Sequence, residues 1–402
     1  VKLRNKALIT VIAASSLTLA ACGNSDTTGT NSADQPYQVL LTAGISGQGA
    51  LAANAATSVL ATKAGVEVVN KEGGIDGRKV ELTVVDDGGD ATNAVTKIRA
   101  SLTEKKPDLV LNSGPSTVSA AILPILKQNK ILSFNLAPTA DSINPEKFPL
   151  NFDLAPGARD GARAIVAHAK EKGYKDIGLI HGSSAYGEEF GQVVGKAIGA
   201  ASLKLTGNVE YEITALDMTA QLQSLKNSGA KALVVDAYGA PLGYLLKSLE
   251  RLGWNVPVIG NSSVAGTNLI ATTPPTGVLG TPAVKNLVMQ VFTSTVYDPK
   301  NDAVNQMVNT MASLGQIKST LIISDNYDAL PLIVAAAKKA GGSTDPQKLA
   351  DALIEPEVQK AAKTAFLDRY NFTADDHGPN PDESEMKFIA PTKIVNGQFG
   401  HP

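Results

Sequence analysis

Apolar and polar positions along this chain switch repeatedly between a period of two and a period near 3.6. Residues 39–43 form a short apolar run, and the small-residue turn Gly44-Ile45-Ser46-Gly47-Gln48-Gly49 follows. Beyond it Leu51, Ala55, Val59, Leu60 and Val66 recur at helical spacing as far as Gly73-Gly74, where a helix end calls for the left-handed conformation. Residues 80–85 then alternate, with Val80, Leu82 and Val84 on one face, and stop at Asp86-Asp87. Strand, turn, helix, turn, strand is a βαβ unit, which implies a parallel sheet and a right-handed crossover. Ligands of such sheets bind beyond the carboxyl ends of the strands. Ser46 and Gln48, in the first such turn, are therefore the first candidate contacts.

The same alternation continues. A helix is expected over 91–104, with Ala94, Ile98 and Leu102 on one stripe, and a buried strand over 109–111. After Asn112-Ser113-Gly114-Pro115-Ser116-Thr117 a helix is expected over 118–128 despite Pro124. Ser116 or Thr117 can cap that helix, and its free N–H groups and positive dipole end suit a carboxylate. A strand at 131–134 runs into Asn135-Leu136-Ala137-Pro138-Thr139. Further on come a helix at 157–172, a strand at 177–181, a helix at 221–228 and a strand at 232–235 ending in Asp236-Ala237-Tyr238-Gly239. Helices are also expected over 302–314, 323–341 and 345–353, the last entered through Thr344-Asp345-Pro346.

Composition narrows the classes. A chain of 402 residues has room for two domains, and 43% hydrophobic with 18% charged residues fits full globular cores. A net charge of -2 gives no basic surface for nucleic acid. The one cysteine is Cys22, so the folded body has no thiol nucleophile, disulfide or cysteine metal site, and the four histidines are too scattered for a zinc helix motif. No metal or cofactor is expected. Lys2, Arg4 and Lys6 precede an apolar stretch at 7–19, too short to cross about 30 Å of hydrocarbon. Small residues then lead to Cys22, the layout of a secretory signal peptide over residues 1–21. Residues 23–35, GNSDTTGTNSADQ, are polar and read as a flexible tether.

Three phrases carry a family resemblance: NKEGGIDGRKVELTVVDDGGD, the run Tyr186-Gly187-Glu188-Glu189-Phe190-Gly191, and LLKSLERLGWNVPV. They resemble type I periplasmic binding proteins of the leucine/isoleucine/valine-binding group, extracytoplasmic receptors of ABC importers. The resemblance implies an α/β fold of two Rossmann-like lobes with parallel central sheets, joined by a three-strand hinge in the manner of a Venus flytrap. Lobe 1 would comprise 37–152 and 298–380, and lobe 2 would comprise 153–297 and 381–402. The chain would cross at 148–154, at 288–293 and before a closing strand at 386–394. The ending LAAC resembles a bacterial lipobox, which would lipidate Cys22, leave 22–36 as tether and hold a monomeric receptor at the outer face of the cytoplasmic membrane. Its partners would be a small polar ligand and a membrane permease.

Site residues follow from the same resemblance. Ser113, Ser116, Leu136 and Ala137 fall in the two loops that grip the ligand's carboxylate. The second of those loops departs from the family pattern Ser-Pro-x-Ala-Thr, reading Ser133-Phe134-Asn135-Leu136-Ala137 here. Tyr186 and Tyr238 match aromatics of the opposite lobe, and Tyr327 belongs to a Tyr-Asp-Ala helix that approaches the cleft. Ser262 stands where amino-acid-binding members place a glutamate for the ligand's ammonium. Either Asp236, Asp153 or Asp325 replaces it, or the ligand has no ammonium. Two other readings stay open. A ligand-sensing subunit would use the same fold. An NAD-dependent enzyme is suggested by Gly47-Gln48-Gly49-Ala50-Leu51-Ala52 with Asp86 closing the next strand. A hydrolase is not supported, because no G-x-S-x-G is present.

Overall fold

The computed structural model describes residues 35–400. The expected signal peptide, Cys22 and all but the last two residues of the expected tether lie outside the described residues.

The chain first runs β1 (Tyr37–Ala43), α1 (Ala50–Lys71), β2 (Val80–Asp86), α2 (Ala91–Glu104), β3 (Leu109–Asn112), α3 (Ser116–Gln128), β4 (Leu132–Asn135) and β5 (Asn151–Asp153). These strands make one parallel sheet in the order β2-β1-β3-β4-β5. The continuous apolar run of β3 is explained by cover on both faces. Val110 packs with Leu40, Ile98 and Ile122 on one side, and Leu109 and Leu111 pack with Val39, Leu41 and Val59 on the other.

The chain then leaves this sheet and builds a second one. Its elements are α4 (Ala158–Glu171), β6 (Asp176–Gly182), α5 (Ala185–Ala200), β7 (Lys204–Tyr211), α6 (Thr219–Asn227), β8 (Ala232–Val235), α7 (Ala240–Arg251), β9 (Val258–Gly260), α8 (Ser262–Ala265) and β10 (Leu287–Phe292). Helices α9 (Asp302–Leu314), α10 (Asn326–Lys339), α11 (Pro346–Leu353) and α12 (Pro356–Ala361) return to the first lobe. There Leu60 and Ala64 of α1 meet Val304, Met307 and Met311 of α9. Last come β11 (Met386–Ile389), β12 (Ile394–Val395) and β13 (Gln398–Phe399). The second sheet has the order β11-β10-β9-β8-β6-β7, parallel except for β11. The two-lobed α/β architecture is thus the one expected.

Aromatic packing holds the crossing segments. Phe152 stacks on His377 with ring centroids 4.0 Å apart and meets Phe372 edge-on at 5.0 Å. Phe292 meets Phe366 edge-on at 5.0 Å. Asp328, wholly buried, accepts the N–H groups of Ala365, Phe366 and Leu367 and the Tyr370 hydroxyl.

Three expectations shift. The closing strand ends at Ile389 rather than 394, and a separate hairpin, β12–β13, follows. Its turn is Asn396-Gly397, both at positive φ (49° and 80°), the geometry two-residue hairpins favour. Residues 381–402 therefore do not all join the second lobe. The hairpin bonds to the crossing segment, where the Tyr297 N–H reaches the Phe399 carbonyl at 2.9 Å, and to the first lobe, where the Leu321 N–H reaches the Gly397 carbonyl at 2.8 Å. The helix expected from 323 starts at Asn326, because residues 321–323 form a separate 3-10 turn. Strand β7 was not expected at all. It is an edge strand with mostly part-exposed side chains, so its apolar signal is weak.

Candidate functional site

The first wall of the candidate site gathers where β3 ends. The Ser113 N–H continues the sheet ladder to the Thr42 carbonyl at 2.9 Å. Its hydroxyl lies 2.8 Å from the Ser58 hydroxyl on α1 and receives the Asn326 side-chain amide of α10 at 2.8 Å. Asn326 also reaches Ser58 at 3.2 Å. Ser113 is thus held from two helices, and the polar groups around it are hydroxyls and amides without formal charge. Helix α3 is not capped by Ser116 or Thr117 as expected. Pro115 takes the cap position and Ser116 is the first helical residue. The freed Ser116 hydroxyl accepts the Tyr186 N–H of the other lobe at 3.3 Å. The Leu136 N–H is not available to a ligand, because it continues the ladder to the Asn112 carbonyl at 3.0 Å. Among the described residues the neighbouring Ala137 N–H has no such partner.

The second wall gathers where β6, β8 and β9 end. Ser184 caps α5, accepting the Gly187 N–H at 3.0 Å, and places Tyr186 in the first helical turn. The Tyr-Gly pair has a physical reason. A Cβ at Gly187 would lie 2.1 Å from the Gly182 carbonyl oxygen and 3.1 Å from Asp236 Oδ2. Only glycine lets the start of α5 rest against that carboxylate. Asp236 is 5% exposed and receives the Asn261 amide on Oδ1 at 2.8 Å. Burial pushes its carboxyl up, and bonds from Asn261, Ser263 and the Gly182 N–H oppose that, with His181 adding to the opposition. Burial and then the nearby Asp236 push the Tyr186 phenol up, opposed by Ser262 and Asn261. Asn261 also caps α8, accepting the Val264 N–H at 3.3 Å, and so orients Ser262 at the start of that helix.

Several contacts bring the two walls together. Besides Ser116 with Tyr186, Asn54 of α1 donates to the Tyr238 hydroxyl at 2.6 Å and to the Gly266 carbonyl at 3.0 Å. Its carbonyl oxygen accepts from the Ser319 hydroxyl. The Ala140 N–H meets the Glu189 carboxylate at 2.5 Å, and Arg159 pairs with Asp376 at 2.5 Å. The lobes are closed on each other.

Other nominated residues lie elsewhere. Ser46 and Gln48 are exposed on the β1–α1 turn, and neither bonds to another nominated residue among those described. Tyr327 is a core residue, 3% exposed, inside the α1–α9 cluster rather than lining the cleft. Of the acids considered for an ammonium, Asp153 is already engaged by Ser142, Asn151 and Asn135. Asp325 is wholly buried, and neither carboxylate oxygen has a hydrogen-bond partner among the described residues. Burial, and then Asp328, push its carboxyl well up.

Sequence reasoning missed Asn54, Ser58, Asn261 and Asn326. Asn54 and Ser58 interrupt the apolar stripe of α1, a signal that was visible. Asn261 and Asn326 had only the generic look of helix starts. The dinucleotide reading fails on geometry. Asp86 Oδ1 accepts the Ser46 N–H at 3.1 Å and the Gly88 N–H at 2.9 Å, so a carboxylate sits where a pyrophosphate would need free donors. Among the described residues no cluster of three or more His, Cys, Asp or Glu is arranged for a metal, and no helix is long and apolar enough to cross a membrane. A cavity of about 380 Å³ also opens between the lobes, but none of the nominated residues lines it.

Comparison with known proteins agrees with this architecture. A family model described as "Periplasmic binding protein" matches residues 37–386. The chain is 23% identical over 290 residues to a leucine-, isoleucine-, valine-, threonine- and alanine-binding protein of Pseudomonas aeruginosa, covering 72% of this chain and 74% of that one. It is 26% identical over 294 residues to Leu/Ile/Val-binding protein homolog 3 of Brucella melitensis, covering 72% and 75%. Among solved structures it superposes on a type 1 periplasmic binding protein from Bordetella pertussis with a TM-score of 0.74 at 21% identity, covering 89% of this chain and 97% of that one. An ABC-transporter solute-binding protein of R. palustris in complex with 4-hydroxybenzoate superposes with a TM-score of 0.67 at 17% identity, covering 79% and 84%.

Proposed function

The chain belongs to the periplasmic binding protein family, and from that premise we propose that it captures a small polar solute with a carboxylate head and delivers it to the permease of an ABC importer. It is a binding protein, not an enzyme. The proposed solute is a branched-chain amino acid or a related amide or carboxylate. The observation that carries the reading is the pairing of two unlike walls across one cleft, joined where the Tyr186 N–H meets the Ser116 hydroxyl.

The first wall receives the carboxylate through Ser113, Ser116 and the Ala137 N–H, beside the positive end of α3. Tyr186 and Tyr238 cover the solute from the second lobe. Asp236 reads a cationic or N–H-bearing end, with Ser262 beside it. An ionised carboxylate offers about four acceptor positions. Asn261 uses one of those on Asp236 at 2.8 Å, which leaves acceptor capacity for the solute. The names of the curated relatives, which concern leucine, isoleucine and valine, support an amino acid. The 4-hydroxybenzoate complex supports the shared carboxylate. The solute favours the closed arrangement, and the permease recognises that state. Lipidation of Cys22 and an extracytoplasmic, membrane-anchored position belong to the same proposal, and mass spectrometry of the mature N-terminus checks them.

Micromolar affinity corresponds to about -8 kcal/mol, within reach of several hydrogen bonds and two tyrosine faces in a dry cleft. The test is thermal stabilisation by a panel of amino acids, short amides, and aliphatic and aromatic carboxylates. A true solute at about 100 times its dissociation constant adds about 2.7 kcal/mol to stability. If no carboxylate-bearing solute shifts the melting temperature, the proposal fails.

A further inference from the structure

The cavity of about 380 Å³ away from the nominated residues is within the size range of small-ligand pockets. Three parts of the chain wall it. The second lobe contributes Asn268 and Thr272, the first lobe Lys318 and Ser319, and the C-terminal hairpin Lys393 and Asn396. Two lysines line it and no carboxylate does. Both lysines are exposed, and among the described residues neither enters an ion pair.

The walls are rigid where they matter. The N–H groups of Lys318 and Ser319 both bond to the buried Thr57 hydroxyl of α1, at 3.1 and 3.0 Å. The hairpin turn is fixed against Leu321, so close that a Cβ on Gly397 would lie 2.7 Å from the leucine side chain. The wall residue Ser319 bonds to Asn54, and Asn54 in turn holds the Tyr238 hydroxyl of the candidate solute site. The cavity therefore shares a hydrogen-bonded chain with the contacts that close the lobes.

We propose that this cavity is a second binding site, for a small oxyanion of the carboxylate or phosphate class. Its occupancy is coupled to cleft closure through Ser319, Asn54 and Tyr238. The lysine ammonium groups supply the charge, and the side-chain amides of Asn268 and Asn396 supply hydrogen bonds. Because the walls come from both lobes, an anion there favours the closed arrangement and strengthens solute binding. By reciprocity the solute strengthens anion binding by the same factor. The coupling half of this inference rests on the proposed solute-binding role, whereas the anion site itself does not.

The experiment is calorimetric titration of the whole protein with inorganic phosphate and, separately, with succinate. It is done without solute, at constant ionic strength made up with sodium chloride. The expected result is saturable binding of at least one probe, weakened about tenfold or more in Lys318→Ala/Lys393→Ala. Both lysines are exposed, so that variant keeps its melting temperature. Solute affinity then rises with the bound probe in the wild type and not in the double variant, while Asn54→Ala, which lies outside the cavity wall, binds the probe but loses the coupling. Titrations that never saturate, or a double variant that binds like the wild type, overturn the site. A double variant that loses solute affinity without any anion overturns its separateness from the solute site. An unchanged solute affinity in the presence of bound probe overturns the coupling.

Discussion

The two walls of the cleft solve opposite problems. Around Ser113 the first lobe assembles hydroxyls and an amide, tied through Ser58 and Asn326 to two helices, with no formal charge in the network. Around Asp236 the second lobe buries a carboxylate beneath the start of α5 and balances it with Asn261. A neutral wall of donors suits an anion without demanding one. A buried carboxylate that is partly satisfied demands a donor, because leaving it short of partners is costly. Under the proposed function the contrast assigns selectivity to the second wall and a grip common to all carboxylates to the first.

The sharpest break of that contrast is Asp236→Asn. Removing one partner of a buried charge pair costs about 2–5 kcal/mol. Affinity for an ammonium-bearing solute is therefore expected to fall at least thirtyfold by calorimetry, with little change for its deaminated analogue. Asn326→Ala acts on the other wall. It leaves Ser113 and Ser58 without their amide donor and weakens both solutes alike, by about 1–1.5 kcal/mol, or roughly tenfold. Asn54→Ala touches neither end. It removes the bond to Tyr238 and is expected to lower affinity about fivefold for every solute with selectivity unchanged, since it acts on closure alone.

The smallest effect concerns pH. Burial pushes the carboxyls of Asp153 and Asp328 up to about 7 against their hydrogen bonds and pushes that of Asp325 well up. An acid raised in the folded state binds a proton that the unfolded chain has lost. Its contribution favours folding below the unfolded value and is lost as pH rises through the folded one. Melting temperature is therefore expected to fall as pH rises from the ordinary carboxylate range to about 7, and Asp325→Asn is expected to flatten that fall. As pH rises through about 7, charge accumulating on Asp153 and Asp328 is expected to weaken carboxylate binding modestly, and a titration series at fixed salt checks it.

How much of this was legible in the sequence depends on periodicity. Helix α2 and strand β8 were readable to the residue, because each is a run of one period between clear stops. Edge strand β7 was not, since its half-exposed side chains dilute the alternation. The Asn396-Gly397 hairpin carried a strong turn signal in plain view just beyond the expected strand, but its strands of two residues each are too short to show an alternation. In the site, Ser113, Ser116, Tyr186, Asp236 and Tyr238 were nominated, and of these Ser116, Tyr186 and Tyr238 make hydrogen bonds between the lobes. Tyr327 shows the limit of such reading. A tyrosine at a helix start can turn inward as readily as toward a cleft, and only the packing of α9 decides. The polar break at Asn54 was visible in the stripe of α1, but its role was not, because its partners Tyr238, Gly266 and Ser319 are each more than 180 residues away.

The claim that the two walls read the two ends of one solute is tested most directly by a paired titration. Leucine and 4-methylpentanoate share a carboxylate and a branched chain and differ in the ammonium. Calorimetry with the wild type and Asp236→Asn measures what each wall contributes. The account predicts that the wild type binds leucine more tightly than the deaminated acid and that Asp236→Asn erases most of the difference. Equal binding of both compounds by the wild type, or a preference for leucine that survives Asp236→Asn, would contradict it.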